Sequence, residues 1–218
     1  VAAVIFDLDG TLVDLFELHF QGFRNVIFDD YGLDFRPSDL KPHYGKAGEE
    51  IARIFFEANG VDGVDYIRFA EKRRRWVTEH MEACAPLPGA KRLLDELKAA
   101  HVPIALGTSN PRDIGMAILK ACGLDGHFQY EAYREPNVPG KPAPDVFLKA
   151  AHGLNARPSE CIVVEDSVHG VLAAKAAGMR VVAVATGTHT TDELKAYTPD
   201  KVVKDLASLS SGEMLGML

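Results

Sequence analysis

Asp7 and Asp9 lie two apart at the end of a short apolar run, residues 1–6. In extended chain that spacing sends both side chains to the same side. Two carboxylates so close repel, and they need a shared proton or a cation. Glu165 and Asp166 close a second apolar run, Cys161-Ile162-Val163-Val164, and bring the acids to four. A hard divalent cation with oxygen ligands is the natural solution, and Mg²⁺ is the default for phosphate chemistry. A third run, residues 102–106, ends in Gly107-Thr108-Ser109-Asn110, and Lys141 sits in Gly140-Lys141-Pro142. Carboxylates, a hydroxyl at Thr108 or Ser109 and a lysine suit phosphoryl transfer, which needs in-line positioning and neutralised equatorial oxygens. In that chemistry Mg²⁺ and Lys141 supply positive charge and Thr108 donates a hydrogen bond. One aspartate attacks phosphorus, while the other protonates the leaving oxygen and later deprotonates water.

The elements that must position these groups follow from the pattern. Short apolar runs bounded by turn residues read as strands buried on both faces: residues 1–6, 102–106, 161–164 and 181–185, with a short last one at 201–203. Helices alternate with them at 88–97, 111–122, 144–152 and 167–177, Gly123 and Gly178 standing as C-terminal stops. That alternation predicts an α/β fold with a parallel sheet covered on both faces. Ligands then bind beyond the carboxyl ends of the strands, where Asp7/Asp9, Thr108/Ser109 and Glu165/Asp166 converge. Between them residues 15–82 read as all-helical. Apolar positions recur at helical spacing in Leu15, Phe16, His19, Phe20, Phe23, Val26 and Ile27, again in Ile51, Ile54, Phe55 and Ala58, and from 66 to 81. The tail 206–218 reads as a final helix or a frayed end.

Composition sets bounds on function. With 218 residues, 47% hydrophobic and 25% charged, the chain can bury a real core. A net charge of −7 opposes nucleic-acid binding, which wants a basic surplus. No apolar run approaches the roughly 20 residues of a membrane helix, and nothing marks the chain for export, so a cytoplasmic location is expected. Cys84, Cys122 and Cys161 are far apart and odd in number, which points to free thiols rather than zinc or a disulfide framework. Neither GxxxxGK[ST], HExxH nor GxSxG occurs.

The ordered set of motifs resembles the haloacid dehalogenase-like (HAD) superfamily. Asp7-Leu8-Asp9-Gly10-Thr11-Leu12-Val13-Asp14 is similar to its first motif, Thr108-Ser109-Asn110 to its second, Lys141 in Gly140-Lys141-Pro142-Ala143-Pro144-Asp145 to its third, and Glu165-Asp166-Ser167 to its fourth. The resemblance spans essentially the whole chain. It implies a Rossmann-like parallel-sheet core, residues 1–14 and 83–218, with a small all-helical cap, residues 15–82, inserted after the first strand. It implies Asp7 as nucleophile and metal ligand, and Asp9 as general acid/base lending a backbone carbonyl to the metal. Thr108 and Lys141 would bind the phosphoryl group, with Asp166 and Glu165 completing a Mg²⁺ site. Ser109, Asn110, His19 and Lys46 are the candidate substrate contacts. The cluster Lys72-Arg73-Arg74-Arg75 reads as a solvated helix face, with a cap residue reaching a substrate phosphate as the alternative.

The expected function is a Mg²⁺-dependent phosphatase acting on a small phosphorylated metabolite of sugar-phosphate type through an aspartyl-phosphate, with a beta-phosphoglucomutase-like phosphomutase as the alternative and a non-catalytic binding module further behind. Many sugar-phosphate relatives carry Ser-Arg where Ala47-Gly48 stands, and the mutase uses that arginine for its second phosphate. The departure favours the phosphatase. Asp9 argues against a dehalogenase, which does not need the second acid. A monomer is expected, because a helical cap can cover the site without a partner subunit.

Overall fold

The computed structural model describes residues 2–44, 46–81 and 84–217. Six parallel strands form one sheet: β1 (Ala3–Phe6), β2 (Ile104–Gly107), β3 (Tyr130–Ala132), β4 (Cys161–Glu165), β5 (Arg180–Val184) and β6 (Lys201–Val203), in the order β3-β2-β1-β4-β5-β6. β1 is central, pairing Val4 with Ile104 on one side and Ile162 on the other. The chain order reverses at β1, between β2 and β4, which is where a doubly wound sheet opens a crevice at its carboxyl edge.

The period of two along each strand sorts the core into two layers. Val4, Phe6, Ile104, Leu106, Ile162, Val164, Val182 and Val184 face one side and pack under α5 (Ala90–Ala99) and α6 (Arg112–Ala121), through Leu93, Leu94, Leu97, Ile114 and Ile118. Ala3, Ile5, Ala105, Cys161, Val163, Val181 and Ala183 face the other and pack under α7 (Asp145–Gly153) and α8 (Val168–Ala176). The second face is rich in alanine, so its helices lie close to the sheet. A Cβ at Gly107 would meet the Phe147 ring at 2.8 Å.

Residues 16–79 hold α1 (Phe16–Tyr31), α2 (Pro37–Leu40), a 3₁₀ turn (Lys41–His43), α3 (Gly48–Ala58) and α4 (Tyr66–Glu79). They share a separate core dominated by phenylalanine: Phe20, Phe23, Phe35, Phe55, Phe56 and Phe69. α1 ends on Gly32 in the left-handed conformation, and the Asp65 side chain caps α4 by accepting from the Arg68 N–H. The connections run side by side, Val13 bridging Pro86 and the Leu87 N–H donating to the Leu12 carbonyl at 2.8 Å. The expected junction at residues 82 and 83 lies outside the described residues, as do Val1, Gly45 and Leu218.

The structure adds elements that the pattern did not announce. β3 is a three-residue edge strand with a charged residue at its centre, too short to make an apolar run. Pro37-Ser38, a turn signal, opens the short helix α2. A five-residue helix, α9 (Thr191–Lys195), rests on a capping box of Thr190 with Glu193, whereas the tail, read as a final helix or a frayed end, does form a helix, α10 (Ser211–Leu215), on a box of Ser210 with Glu213. No described helix is long and apolar enough to cross a membrane. All three cysteines are free thiols.

Candidate active site

The acids stand where parallel pairing ends. The Asp7 N–H still donates to the Val164 carbonyl at 3.0 Å, so β1 delivers the Asp7 carboxylate to the sheet edge beside Glu165 and Asp166. Gly10, at φ +81°, then turns the chain back, its N–H on the Val13 carbonyl at 2.7 Å. Lys141 reaches the same point from the loop before α7. Its Nζ donates to Asp7 Oδ1 at 2.5 Å and Glu165 Oε1 at 2.8 Å, and lies 4.6 Å from the Phe147 ring centroid. Glu165 Oε2 accepts from the Ser167 N–H at 2.6 Å and Oγ at 2.9 Å. Asp166 Oδ1 accepts from Thr11 Oγ1 at 3.2 Å. Asp7, Lys141, Glu165 and Asp166 are all buried.

Electrostatics follow from that burial. Burial pushes the Asp7 carboxyl up from 3.8 to about 7, with Lys141 pulling against it and Glu165 and Asp9 adding to it. Asp166 is raised well above the ordinary range, by burial first and then by Glu165 and Asp7. Burial opposes the charge on Lys141, but Asp7 and Glu165 outweigh it and hold the ammonium above its usual value. One cation thus faces three buried acids, which leaves a charge deficit.

The donor set fits a hard divalent cation. Asp7, Glu165 and Asp166 each offer a carboxylate oxygen within 4.8 Å of the others. Asp166 Oδ2 is buried without a hydrogen-bond partner, and a buried anionic oxygen in that condition calls for a cation. The backbone is cleared for it: a Cβ at Gly187 would stand 1.7 Å from Asp166 Oδ2, and one at Gly10 2.3 Å from it.

Asp9 is used differently. Its Oδ2 accepts from Asn110 Nδ2 at 2.9 Å and lies 3.3 Å from His19 Nε2, while its Oδ1 is buried and unpartnered. His19 Nδ1 lies 3.2 Å from Arg73 Nη1. A guanidinium only donates, so Nδ1 is the acceptor and Nε2 carries the proton it gives to Asp9. Arg73, lowered to about 10 by burial and partly restored by Glu49 and Asp9, stays charged at neutral pH.

Thr108 lies at the end of β2, its N–H on the Ala132 carbonyl at 3.0 Å and its Oγ1 accepting from the Asn110 N–H at 3.1 Å. Thr108 and Ser109 line the pocket that contains Asp7, Lys141 and Asp166. His19, Lys46, Ser109 and Asn110 line an adjoining cleft between the helical insert and the sheet edge. Lys46 pairs there with Glu50. Arg134 from the loop after β3 bonds Glu49 of α3 at 2.7 Å across that cleft.

Some of these groups had weaker signals or none. Thr11 and Gly187 both serve Asp166; Gly187 follows β5, so the rule that placed Thr108 at a strand end would have placed it too. Arg73 does not behave as the solvated face expected of its cluster. It stacks over Phe23 at 4.5 Å and fills the space that Gly48 leaves open, where a Cβ would meet its Nη2 at 2.6 Å.

A parallel sheet of Rossmann-like α/β type, with this carboxylate–lysine cluster beyond its carboxyl edge where the strand order reverses, defines the class of the molecule. The chain belongs to the haloacid dehalogenase-like hydrolase family, whose profile matches residues 4–184. The chain is 33% identical over 185 residues to the fructose-1-phosphate phosphatase YqaB of Escherichia coli (strain K12), covering 84% of this chain and 96% of that protein. It is 36% identical over 193 residues to a probable pseudouridine-5'-phosphatase of Drosophila melanogaster, covering 84% and 81%. A crystal structure of beta-phosphoglucomutase from Clostridium difficile superposes with a TM-score of 0.88 at 25% identity, covering 99% of this chain and 96% of that one.

Proposed function

We propose that the chain is a Mg²⁺-dependent phosphatase that hydrolyses a small phosphorylated metabolite of sugar-phosphate type through an aspartyl-phosphate on Asp7. The observation that carries this reading is the Lys141 ammonium bonded to Asp7 and Glu165, beside an Asp9 whose Oδ1 has no partner. The two phosphatase relatives support it.

Lys141 holds Asp7 Oδ1, which leaves Oδ2 to attack phosphorus. Lys141 and Thr108 take the non-bridging phosphoryl oxygens. Asn110 and His19 saturate Asp9 Oδ2, so the proton given to the leaving oxygen and later taken from water is handled at Oδ1. Asp7, Glu165 and Asp166 would hold Mg²⁺, with the Asp9 backbone carbonyl as a further ligand. When bound, the ion neutralises the excess acid and the charge on the phosphoryl oxygens. Residues 15–82 act as the cap that excludes water and selects substrate. Free thiols and a pI near 5.6 support a cytoplasmic setting, and the cap over the site supports a monomer.

A phosphomutase is the second reading, favoured by one observation: Arg73 puts a guanidinium in the space beside Gly48, where it can meet a second phosphate although Ser-Arg is absent. Phosphate release from a panel of phosphorylated metabolites, with and without Mg²⁺, tests the first reading against Asp7→Asn. Metal-dependent release abolished in Asp7→Asn is the expected result. No release from any ester, together with conversion of glucose 1-phosphate under a bisphosphate primer, would replace the phosphatase by the mutase.

A further inference from the structure

Tyr44 follows the 3₁₀ turn Lys41–His43, and its N–H closes that turn on the Lys41 carbonyl. Its ring is set by packing against Phe16, with centroids 5.3 Å apart, and against His19 at 6.1 Å. The residue is only 5% exposed, yet its hydroxyl has no hydrogen-bond partner. A buried hydroxyl left unpaired costs free energy, and native structures rarely keep one without a use.

Its position suggests the use. The pocket holding Asp7, Lys141 and Asp166 and the wider cleft under the helical insert share three lining residues: Asp9, Ser109 and Tyr44. These form the neck through which a phosphoester would run from its phosphoryl end to its carbon end. Three of the pocket's buried side-chain oxygens are unpartnered: Asp9 Oδ1, Asp166 Oδ2 and the Tyr44 hydroxyl. The two carboxylate oxygens can only accept while ionised, and the mechanism above spends them on the leaving-group proton and the cation. The phenol both donates and accepts. Burial first, then the nearby Asp9 and Asp166, raise the Tyr44 hydroxyl well above its ordinary value, so it keeps its proton at neutral pH.

We propose that Tyr44 is a specificity-determining residue that hydrogen-bonds the hydroxyl on the substrate carbon next to the phosphoester carbon. The inference rests on the phosphatase reading for the direction in which the ester lies. The phosphoryl oxygens already have Thr108 and Lys141, and the ester oxygen has Asp9. The next polar atom along a phosphorylated polyol is this vicinal hydroxyl, and it is donor and acceptor like its partner. A site that leaves a buried hydroxyl waiting discriminates strongly against the analogue that cannot fill it.

The test is a two-by-two comparison of wild type and Tyr44→Phe with glycerol 1-phosphate and its analogue lacking the 2-hydroxyl, propane-1,3-diol monophosphate. Rates of phosphate release give kcat/KM. Calorimetric binding to the Asp7→Asn forms gives Kd without turnover. Wild type should prefer the vicinal diol by about tenfold or more, and Tyr44→Phe should lose that preference. The melting temperature of Tyr44→Phe should equal or exceed that of wild type, because the phenylalanine removes an unpaired polar atom. A structural role would lower it instead. Equal losses on both esters, a lowered melting temperature, or no binding of glycerol 1-phosphate to Asp7→Asn would overturn the assignment. Absence of phosphate release with the binding preference intact would sink the phosphatase reading and leave Tyr44 as a recognition residue.

Discussion

Gly170→Ala should destabilise this protein, although glycine to alanine inside a helix ordinarily stabilises. Gly170 is the third residue of α8, where propensity alone favours alanine by about 0.8–1 kcal/mol. The opposing effect is steric. A Cβ at this position would stand 1.8 Å from the Glu165 carboxyl carbon and Oε1, so the carboxylate must leave its seat. It would abandon Lys141, now at 2.8 Å, and the Ser167 N–H, now at 2.6 Å. Breaking a buried ion pair costs about 3–5 kcal/mol. Lys141 keeps Asp7 as a partner, so the low end applies, and the orphaned Ser167 N–H adds about 1 kcal/mol or more. Against the propensity gain, the net loss is about 2–4 kcal/mol. Urea unfolding of wild type and variant, with EDTA and with Mg²⁺, measures it, and phosphate release should fall with it because Lys141 is no longer held from both sides. Gly212→Ala is the control: nothing lies nearer than 4.0 Å to its Cβ, so it should be neutral or gain up to about 1 kcal/mol. A Gly170→Ala protein as stable as wild type would refute the packing of Glu165 against α8.

Three further outcomes are expected. In the metal-free protein the Asp7 carboxyl is raised from 3.8 to about 7, so the folded state binds more protons than the unfolded chain between those values. Its contribution to stability is therefore full at the acid end and falls as pH rises from about 4 to 7, by up to about 4 kcal/mol at ~1.36 kcal/mol per unit. Asp7→Asn should lack this slope, and equal slopes in EDTA for the two proteins would contradict the burial argument. Gly187→Ala would place a methyl 1.7 Å from Asp166 Oδ2, so the Mg²⁺ concentration for half-maximal phosphate release should rise at least about tenfold, as a displaced metal-site partner costs about 10–100-fold; an unchanged requirement would remove Asp166 from the cation site. Arg73→Met takes the donor from His19 Nδ1 and frees the ring to exchange tautomers. Turnover should drop by about tenfold or more, since general acid–base groups contribute about 10²–10⁴-fold, and unchanged turnover across the pH range would disconnect His19 from Asp9.

The parts of this molecule that were legible in its sequence are those whose physics is local. Apolar runs ending in acids mark β1 and β4 and put Asp7, Glu165 and Asp166 at one sheet edge, because a parallel sheet buried on both faces leaves few alternatives. Lys141 came from the motif around it and the family resemblance, since nothing in a lysine beside a proline says which carboxylates it will meet. β3 stayed hidden because an edge strand of three residues is held by its neighbour's backbone rather than by its own apolar content. Arg73 is ambiguous in sequence because its environment is assembled from two distant helices, Phe23 and His19 of α1 and Gly48 and Glu49 of α3. Its neighbours Lys72 and Arg74 reach the surface acids Asp30 and Asp113, as a charged helix face should.

The same division separates chemistry from specificity. Asp7, Thr108, Glu165 and Asp166 stand at strand ends, where pairing fixes the backbone, so their geometry follows from the order of strands, and Lys141 joins them from the loop before α7. The groups over the cleft hang on a helical insert whose core is a cluster of phenylalanines and which meets the sheet domain through Val77 and Met81 and through the Arg134–Glu49 ion pair at 2.7 Å. A single change there redirects a side chain without touching the acids. At Gly48, where α3 carries no side chain, the Arg73 guanidinium of α4 fills the space. Two family members can therefore share every catalytic residue and differ in substrate. In this chain Tyr44 and Arg73 line the cleft from that insert, and neither belongs to the motifs by which the family is identified.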